Sequence, residues 1–209
     1  KRSDYPSVGD WVATQYIEKS NLIIHEILPR KSIIERQAIG KFGKKQTIAT
    51  NVDVAFVMQD AAHDSNLNRL DRLIAICYAS KIKPIIILTK IDIANEEALD
   101  NQLSKIKKRL NELIVILLSN KNLVGFSKIQ KLIEYGKTYC CIGASGAGKS
   151  SLINNLVGKQ VMLTKELREK TNKGQHTTSH RELFILKKSG ILIDTPGMRE
   201  LGIAEHYKT

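Results

Sequence analysis

Gly143-Ala144-Ser145-Gly146-Ala147-Gly148-Lys149-Ser150 is the stretch on which the reading of this chain turns. It matches G-x-x-x-x-G-K-[ST] in full. It follows an apolar run, Tyr139 to Ile142, with the character of a strand, and it opens a helical pattern, Lys149 to Val157. That placement is what phosphate binding requires. Glycines let the backbone wrap closely around a phosphate with its N–H groups turned inward, and a helix N-terminus favours negative charge. Lys149 is expected to reach the β- and γ-phosphates of a nucleotide and Ser150 to ligate Mg²⁺, with Ser151 belonging to the same binding run. The bland alternative, a glycine-rich turn that holds nothing, leaves the strand before and the helix after unexplained.

Two further strand ends suit the same site. Asp194-Thr195-Pro196-Gly197 follows the apolar strand Ile191 to Ile193. A carboxylate there, downstream of a P-loop, is placed to hold Mg²⁺ through water, and the Gly197 N–H to sense the γ-phosphate. Taken alone, D-T-P-G is as good a turn as a site. Thr89-Lys90-Ile91-Asp92 ends the strand Ile85 to Leu88 and has the form N/T-K-x-D, the guanine-selecting motif of GTPases. Asp92 would accept hydrogen bonds from guanine N1–H and from the exocyclic amine. Adenine offers neither and would leave a buried carboxylate unpaired. The stem of Lys90 is expected to cover the base. Thr89 stands where Asn is commoner, so a weaker brace between this loop and the P-loop is expected. Alone, the four residues read as a strand ending in an N-cap aspartate; beside the other two loops they read as a base site. Ser119-Asn120-Lys121, after the strand Leu113 to Leu118, is the candidate backbone donor to guanine O6.

Between the P-loop helix and D-T-P-G lies Gly174-Gln175-His176-Thr177-Thr178-Ser179-His180, preceded by Lys165, Arg168, Lys170 and Lys173. In GTPases this interval is the first switch, where a threonine caps Mg²⁺ and the γ-phosphate; Thr178 or Thr177 can serve. A loop that orders on GTP is expected. Hydrolysis needs a water held in line with the γ-phosphate. The residue after D-x-x-G, often Gln, is here Met198, which cannot orient water. Slow intrinsic turnover follows, and the missing group must come from elsewhere. His176, beside the Mg²⁺ threonine, is the candidate; an exposed loop histidine is the alternative.

From residue 51 onward strands alternate with helices: Val52 to Met58, helix Leu67 to Ser80, Ile85 to Leu88, helix Glu96 to Leu110, Leu113 to Leu118, helix Gly125 to Tyr135, Thr138 to Ile142, helix Lys149 to Val157, then a hairpin of Glu182 to Leu186 and Ile191 to Ile193. This predicts an α/β fold with a doubly wound, mostly parallel sheet. Residues 1–50 differ. Trp11 to Ile17, Leu22 to Leu28 and Ser32 to Glu35 are short strand candidates with no long helical pattern between them, which predicts a small β-domain built as a partial barrel. Two domains are expected, 1–50 and 51–209.

The order of the motifs carries information of its own. In most GTPases the P-loop comes first and the guanine motif last; here Thr89 to Asp92 precedes Gly143 to Ser150. A circular permutation keeps every strand in its spatial place and joins the old termini through Gly125 to Tyr135. With this order the chain resembles the circularly permuted, small-ribosomal-subunit-dependent GTPases of bacteria. The resemblance spans nearly the whole chain: Val8-Gly9-Asp10, Ala49-Thr50-Asn51-Val52-Asp53, Asn68-Arg69-Leu70-Asp71-Arg72, Thr89 to Asp92, Gly143 to Leu152, Gly174 to Leu183 and Asp194 to Leu201. It implies an oligonucleotide-binding-type barrel, a permuted GTPase domain binding GTP and GDP with Mg²⁺, a C-terminal zinc domain, and a role late in small-subunit maturation with hydrolysis stimulated by the subunit. It points to the same His176. Relative to that pattern, the first barrel strands and the zinc ligands lie outside this chain, so no zinc is expected here. The opening Lys1, which is not Met, suggests a piece of a longer protein.

The net charge of +12 attracts polyanions, although a lysine-rich solvated surface gives the same count. Arg30, Lys31, Arg36, Lys41, Lys44 and Lys45, opposed only by Glu35, are the candidate rRNA surface. Trp11, Tyr16 and Phe42 are the few aromatics available for stacking, Trp11 reading as core. No apolar run reaches the roughly 18–20 residues of a membrane span, and Cys77, Cys140 and Cys141 form no disulfide or metal spacing, so a cytoplasmic protein without a membrane partner is expected; a monomer is expected as well. Four functions compete: a GTPase acting in ribosome assembly, a GTP-gated RNA-binding module with incidental hydrolysis, a permuted GTPase of the large subunit, and an ATPase or small-molecule kinase.

Overall fold

The computed structural model describes residues 5–18, 21–37, 45–63, 66–162, 182–187 and 189–194. In chain order these hold β1 (Val12–Glu18), β2 (Asn21–Ile27), β3 (Ile33–Gln37), β4 (Lys45–Thr50), β5 (Val54–Asp60), α1 (Leu67–Ala79), β6 (Lys83–Thr89), α2 (Glu96–Arg109), β7 (Val115–Leu118), α3 (Phe126–Leu132), β8 (Thr138–Gly143), α4 (Lys149–Val157), β9 (Glu182–Ile185) and β10 (Ile191–Asp194).

Six strands form one sheet in the spatial order β7-β6-β5-β8-β10-β9. All neighbours are parallel except β9 against β10. Strands buried on both faces read as continuous apolar runs, and the side-chain alternation then sorts them into two cores. Ala55, Val57, Ile86, Leu88, Cys140, Ile142 and Ile193 face one way, against Leu70, Leu73, Ile74 and Cys77 of α1 and Ile106 of α2. Phe56, Met58, Ile85, Ile87, Tyr139, Cys141 and Leu192 face the other, against Ile129 of α3 and Leu152, Ile153 and Leu156 of α4. The sheet is therefore doubly wound. Adjacent Cys140 and Cys141 lie on opposite faces, as a strand demands, and all three cysteines are buried and free.

The chain runs outward along β5, β6 and β7, crosses back to β8 through α3, and then builds β9 and β10 on the far side. A chain starting at β8 would build the same sheet, so only the starting point has moved, and α3 is the join. It is shorter than the pattern Gly125 to Tyr135 suggests. Ile133 is already extended, because Tyr139, stacked on Phe56 with ring centroids 5.5 Å apart, pins the exit. Its hydroxyl donates to the Leu132 carbonyl at 2.7 Å and accepts from the Glu134 N–H at 2.9 Å.

The N-terminal region is two antiparallel ribbons, β1–β2 and β3–β4, which fit an oligonucleotide-binding-type β-region. β4 is an element the sequence reading passes over, since its polar start reads as part of a basic tract. The second ribbon enters the main core through Ile34, Ile48 and Ala49. Asn51, at φ +54°, ties the join. Its Oδ1 accepts from the Lys31 N–H at 2.8 Å and its Nδ2 donates to the Gly9 carbonyl at 2.9 Å. Gly9, at φ +94°, has no room for a Cβ, which would run into the Thr50 carbonyl and lie 3.0 Å from Ile193 Cδ1. Two expectations need correction. Trp11 is 60% exposed and is not core. Arg30 does not project as a free cation: its Nε and Nη2 grip the Asp10 carboxylate at 2.8 and 2.7 Å.

Candidate nucleotide-binding site

The sheet's winding direction reverses between β5 and β8, and in open α/β sheets ligands bind beyond the carboxyl ends of the strands at such a point. The carboxyl ends found there are Asp60 of β5, Thr89 of β6, Leu118 of β7, Gly143 of β8 and Asp194 of β10. Register places Thr89 opposite Asp60 on one side and Leu118 on the other, and Gly143 opposite Met58.

Gly143 approaches Met58 so closely that a Cβ at its φ of +149° would overlap the Met58 carbonyl. From there the loop curls over its own lysine: Lys149 Nζ donates to the Ala144 carbonyl at 2.6 Å and to the Gly143 carbonyl at 2.9 Å. Ser145 and Gly146 are exposed, Ala147 is buried, and Gly148, Ser150 and Ser151 are half-buried around the start of α4. Asp194 is buried at the end of the neighbouring strand. The Cys141 thiol shows how these charges converge. Burial pushes it up to about 12; the Asp194 carboxylate adds to the rise and the Lys149 ammonium opposes it.

The guanine-type loop is laced to the phosphate loop. Thr89 Oγ1 lies 3.0 Å from the Ala147 carbonyl and 3.2 Å from the Gln59 carbonyl. Thr89 thus does brace the two loops, its short hydroxyl reaching because they are close. Asn120 adds a second brace, its Nδ2 donating to the Gly148 carbonyl at 3.2 Å, and Asn155 of α4 supports Asn120 by donating to its carbonyl at 3.1 Å. Ser119 is committed, its N–H to the Val124 carbonyl at 3.0 Å and its Oγ to the Asn122 N–H at 3.1 Å. Asp92 is exposed on the turn after Lys90, not buried as expected. Any discrimination it exerts comes from charge-assisted hydrogen bonds made as a base covers it.

Lys90 is at φ +59° and its ammonium is 2.6 Å from Asp60 Oδ2. No spacing rule in the sequence singles out Asp60. Burial pushes its carboxyl up, but Lys90, the Ala62 N–H and His63 together outweigh that and hold it below the ordinary carboxylate value. His176, Thr177, Thr178, Gly197 and Met198 lie outside the described residues.

An ammonium in a glycine-rich loop, hydroxyls at Ser150 and Ser151 and a buried carboxylate at Asp194 suit a phosphate chain and a hard cation. Among the described residues no group of three or more His, Cys, Asp or Glu could hold a metal. No helix among the described residues is long and apolar enough to cross a membrane.

A phosphate loop on the central strand, with a guanine-type loop on a strand that precedes it in the chain, defines the circularly permuted P-loop GTPase fold. Residues 27–204 match the family model described as RsgA GTPase, and the chain belongs to that family. It is 37% identical over 202 residues to the small ribosomal subunit biogenesis GTPase RsgA 1 of Bacteroides thetaiotaomicron, covering 96% of this chain and 56% of that protein. It is 37% identical over 201 residues to the RsgA of Methanosarcina acetivorans, covering 96% and 54%, and 40% identical over 202 residues to the RsgA 1 of Listeria innocua, covering 96% and 56%. The chain thus spans a little over half the length of these curated relatives. Among solved structures, YjeQ from Thermotoga maritima superposes with a TM-score of 0.69 at 21% identity, covering 97% of this chain and 64% of that one. YloQ, described as a circularly permuted GTPase, superposes with a TM-score of 0.65 at 24% identity, covering 95% and 60%. Those two likenesses concern the fold.

Proposed function

We propose that this chain binds and hydrolyses GTP and acts in the maturation of the small ribosomal subunit. The observation that carries the reading is the meeting of Thr89 with Ala147 at 3.0 Å, which sets a T-K-x-D loop against a P-loop. In this reading Gly143 to Ser151 cradle the phosphates, and Lys149 leaves its two loop carbonyls for the β- and γ-phosphates. Ser150, Asp194 and Thr178 would hold Mg²⁺, which when bound supplies positive charge to the phosphate oxygens. Asp92 accepts from guanine N1–H and the amine, and Gly197 senses the γ-phosphate. With Ser119 committed elsewhere, the backbone donor to O6 falls to Asn120 or Lys121. Met198 makes turnover slow, and His176 orients the attacking water once the ribosomal subunit holds its loop. Residues 1–50 form an RNA-facing β-domain that docks on the main core through Ile34, Ile48 and Ala49, with Lys31 and the basic run after it contacting rRNA through its backbone.

The subunit assignment draws on the names of the relatives, which are small ribosomal subunit biogenesis GTPases. The test is GTP turnover with and without small ribosomal subunits, in the chain and in its His176→Ala variant. Stimulated turnover that His176→Ala abolishes, with GDP binding intact, is the expected result. Turnover that small subunits leave unchanged would favour a GTP-gated RNA-binding module, and full stimulation of His176→Ala would remove that residue from the mechanism.

A further inference from the structure

Asp60 is the charged group at this strand edge that none of the recognised motifs uses. Its side chain is 10% exposed, which is uncommon for aspartate unless it is paired. Its two oxygens do different work. Oδ1 accepts from the Ala62 N–H at 2.9 Å and the His63 N–H at 3.1 Å, closing the turn that leaves β5. Oδ2 takes the Lys90 ammonium at 2.6 Å. The imidazole of His63 flanks both oxygens, with Nδ1 at 3.3 and 3.2 Å. The backbones on either side are joined as well, through the Ala61 N–H to the Thr89 carbonyl at 2.9 Å and Thr89 Oγ1 near the Gln59 carbonyl. Asp60 is therefore rigid, and Lys90 is held at both ends: by its left-handed backbone and by its ammonium.

Lysine is a flexible stem with a strongly hydrated head. Left free, Lys90 would sample many rotamers and carry an unbalanced charge against the base. Fixed at its head, its methylenes form a ledge of set position, and the pair presents no net charge. We propose that Asp60 is a positioning residue of the guanine subsite, holding Lys90 in advance in the conformation that covers the base. The inference rests on the guanine reading given above. It assigns Asp60 no contact with the nucleotide.

The test is a double-mutant cycle of Asp60→Asn and Lys90→Met, read as GDP dissociation rates, with ADP and pyrophosphate binding as controls. Asparagine keeps an oxygen for the Ala62 and His63 N–H groups, so the turn is preserved, and thermal melting checks that the fold is. Ordering a rotamer-rich side chain beforehand is worth up to about tenfold in binding. Asp60→Asn is expected to speed GDP release by about that factor, leave pyrophosphate binding unchanged, and add little once Lys90 is Met. A wild-type release rate in Asp60→Asn, additive effects in the double variant, or equal loss of pyrophosphate binding would each overturn the inference. If the wild-type chain shows no preference for GDP over ADP, the guanine reading itself fails and this one with it. If the preference is present and Asp60→Asn is silent, only the role of Asp60 fails.

Discussion

Lys149 sits on two carbonyls of its own loop, so a phosphate competes for a charge already aimed at the cradle. Lys149→Met removes that charge and is expected to weaken GDP and GTP binding by about a hundredfold or more, measured by calorimetry. Thr89 makes a subtler contribution. Its one hydroxyl hydrogen is shared between the Ala147 and Gln59 carbonyls. Thr89→Val keeps the shape and loses the donor in a fully buried position. An expected cost of about 1–3 kcal/mol would appear in chemical denaturation, together with faster GDP release. The cysteines are inert for a different reason. The Cys77 and Cys141 thiols are pushed up to about 12 by burial, and that of Cys140 is also raised well above its ordinary value. Since the thiolate is the reactive form, a thiol reagent at pH 8 should modify none of them in the native chain and all of them after denaturation. Rapid labelling of the native chain would contradict the burial described.

Elements show where a sequence reading succeeds and where it stops. The inner strands β5, β6 and β8 are legible because double burial leaves near-continuous apolar runs bounded by turn residues, as at Ile85 to Leu88, and α4 because its apolar residues Leu152, Ile153 and Leu156 recur at helical spacing. The phosphate and guanine loops can be proposed from the sequence because their motifs are set by local spacing; Thr195 to Gly197 of the third loop lie outside the described residues. Trp11 misleads, because an apolar residue in a strand reads as core whatever its neighbours, and β1–β2 leaves it 60% exposed. Arg30 misleads similarly: its partner Asp10 is twenty residues away in the chain. Asp60 is invisible for the same reason, since only the adjacency of β5 and β6 brings it to Lys90. The join at α3 offers a test at this scale. Tyr139→Phe removes two hydrogen bonds that fix the exit of α3. The expected loss is about 1–3 kcal/mol, or a melting temperature lower by about 3–8 °C. A melting temperature within a degree or so of wild type would show that the join does not depend on that hydroxyl.

At the scale of the whole molecule, a net charge of +12 attracts polyanions; if the proposed function holds, small-subunit binding should weaken by at least about tenfold between 50 and 200 mM salt. Among the described residues, Asp10 and Asp60 are carboxylates held low in the fold, and they contribute to acid stability. Burial pushes Asp10 up, but Arg30, the Ser7 N–H and Thr50 hold it low; Asp60 is held low in the same sense. Below 3.8 the unfolded chain binds protons that these folded groups refuse, so stability rises with pH there. The contribution is complete above the unfolded value and is lost as pH falls through the depressed folded ones. Asp10→Asn should therefore flatten the fall of unfolding free energy between pH 5 and 3 in urea titrations. A slope unchanged from wild type would place the acid sensitivity elsewhere. The central claim, that this permuted fold presents a guanine site, is tested most directly by titrating GDP, XDP and ADP with Mg²⁺ into the chain and into Asp92→Asn. Aspartate accepts from guanine N1–H and its amine, whereas asparagine accepts from xanthine N1–H and donates to its O2. The wild-type chain should bind GDP at least about a thousandfold tighter than ADP, and Asp92→Asn should prefer XDP. Equal affinity for GDP and ADP, or a variant that keeps its GDP preference, would contradict it.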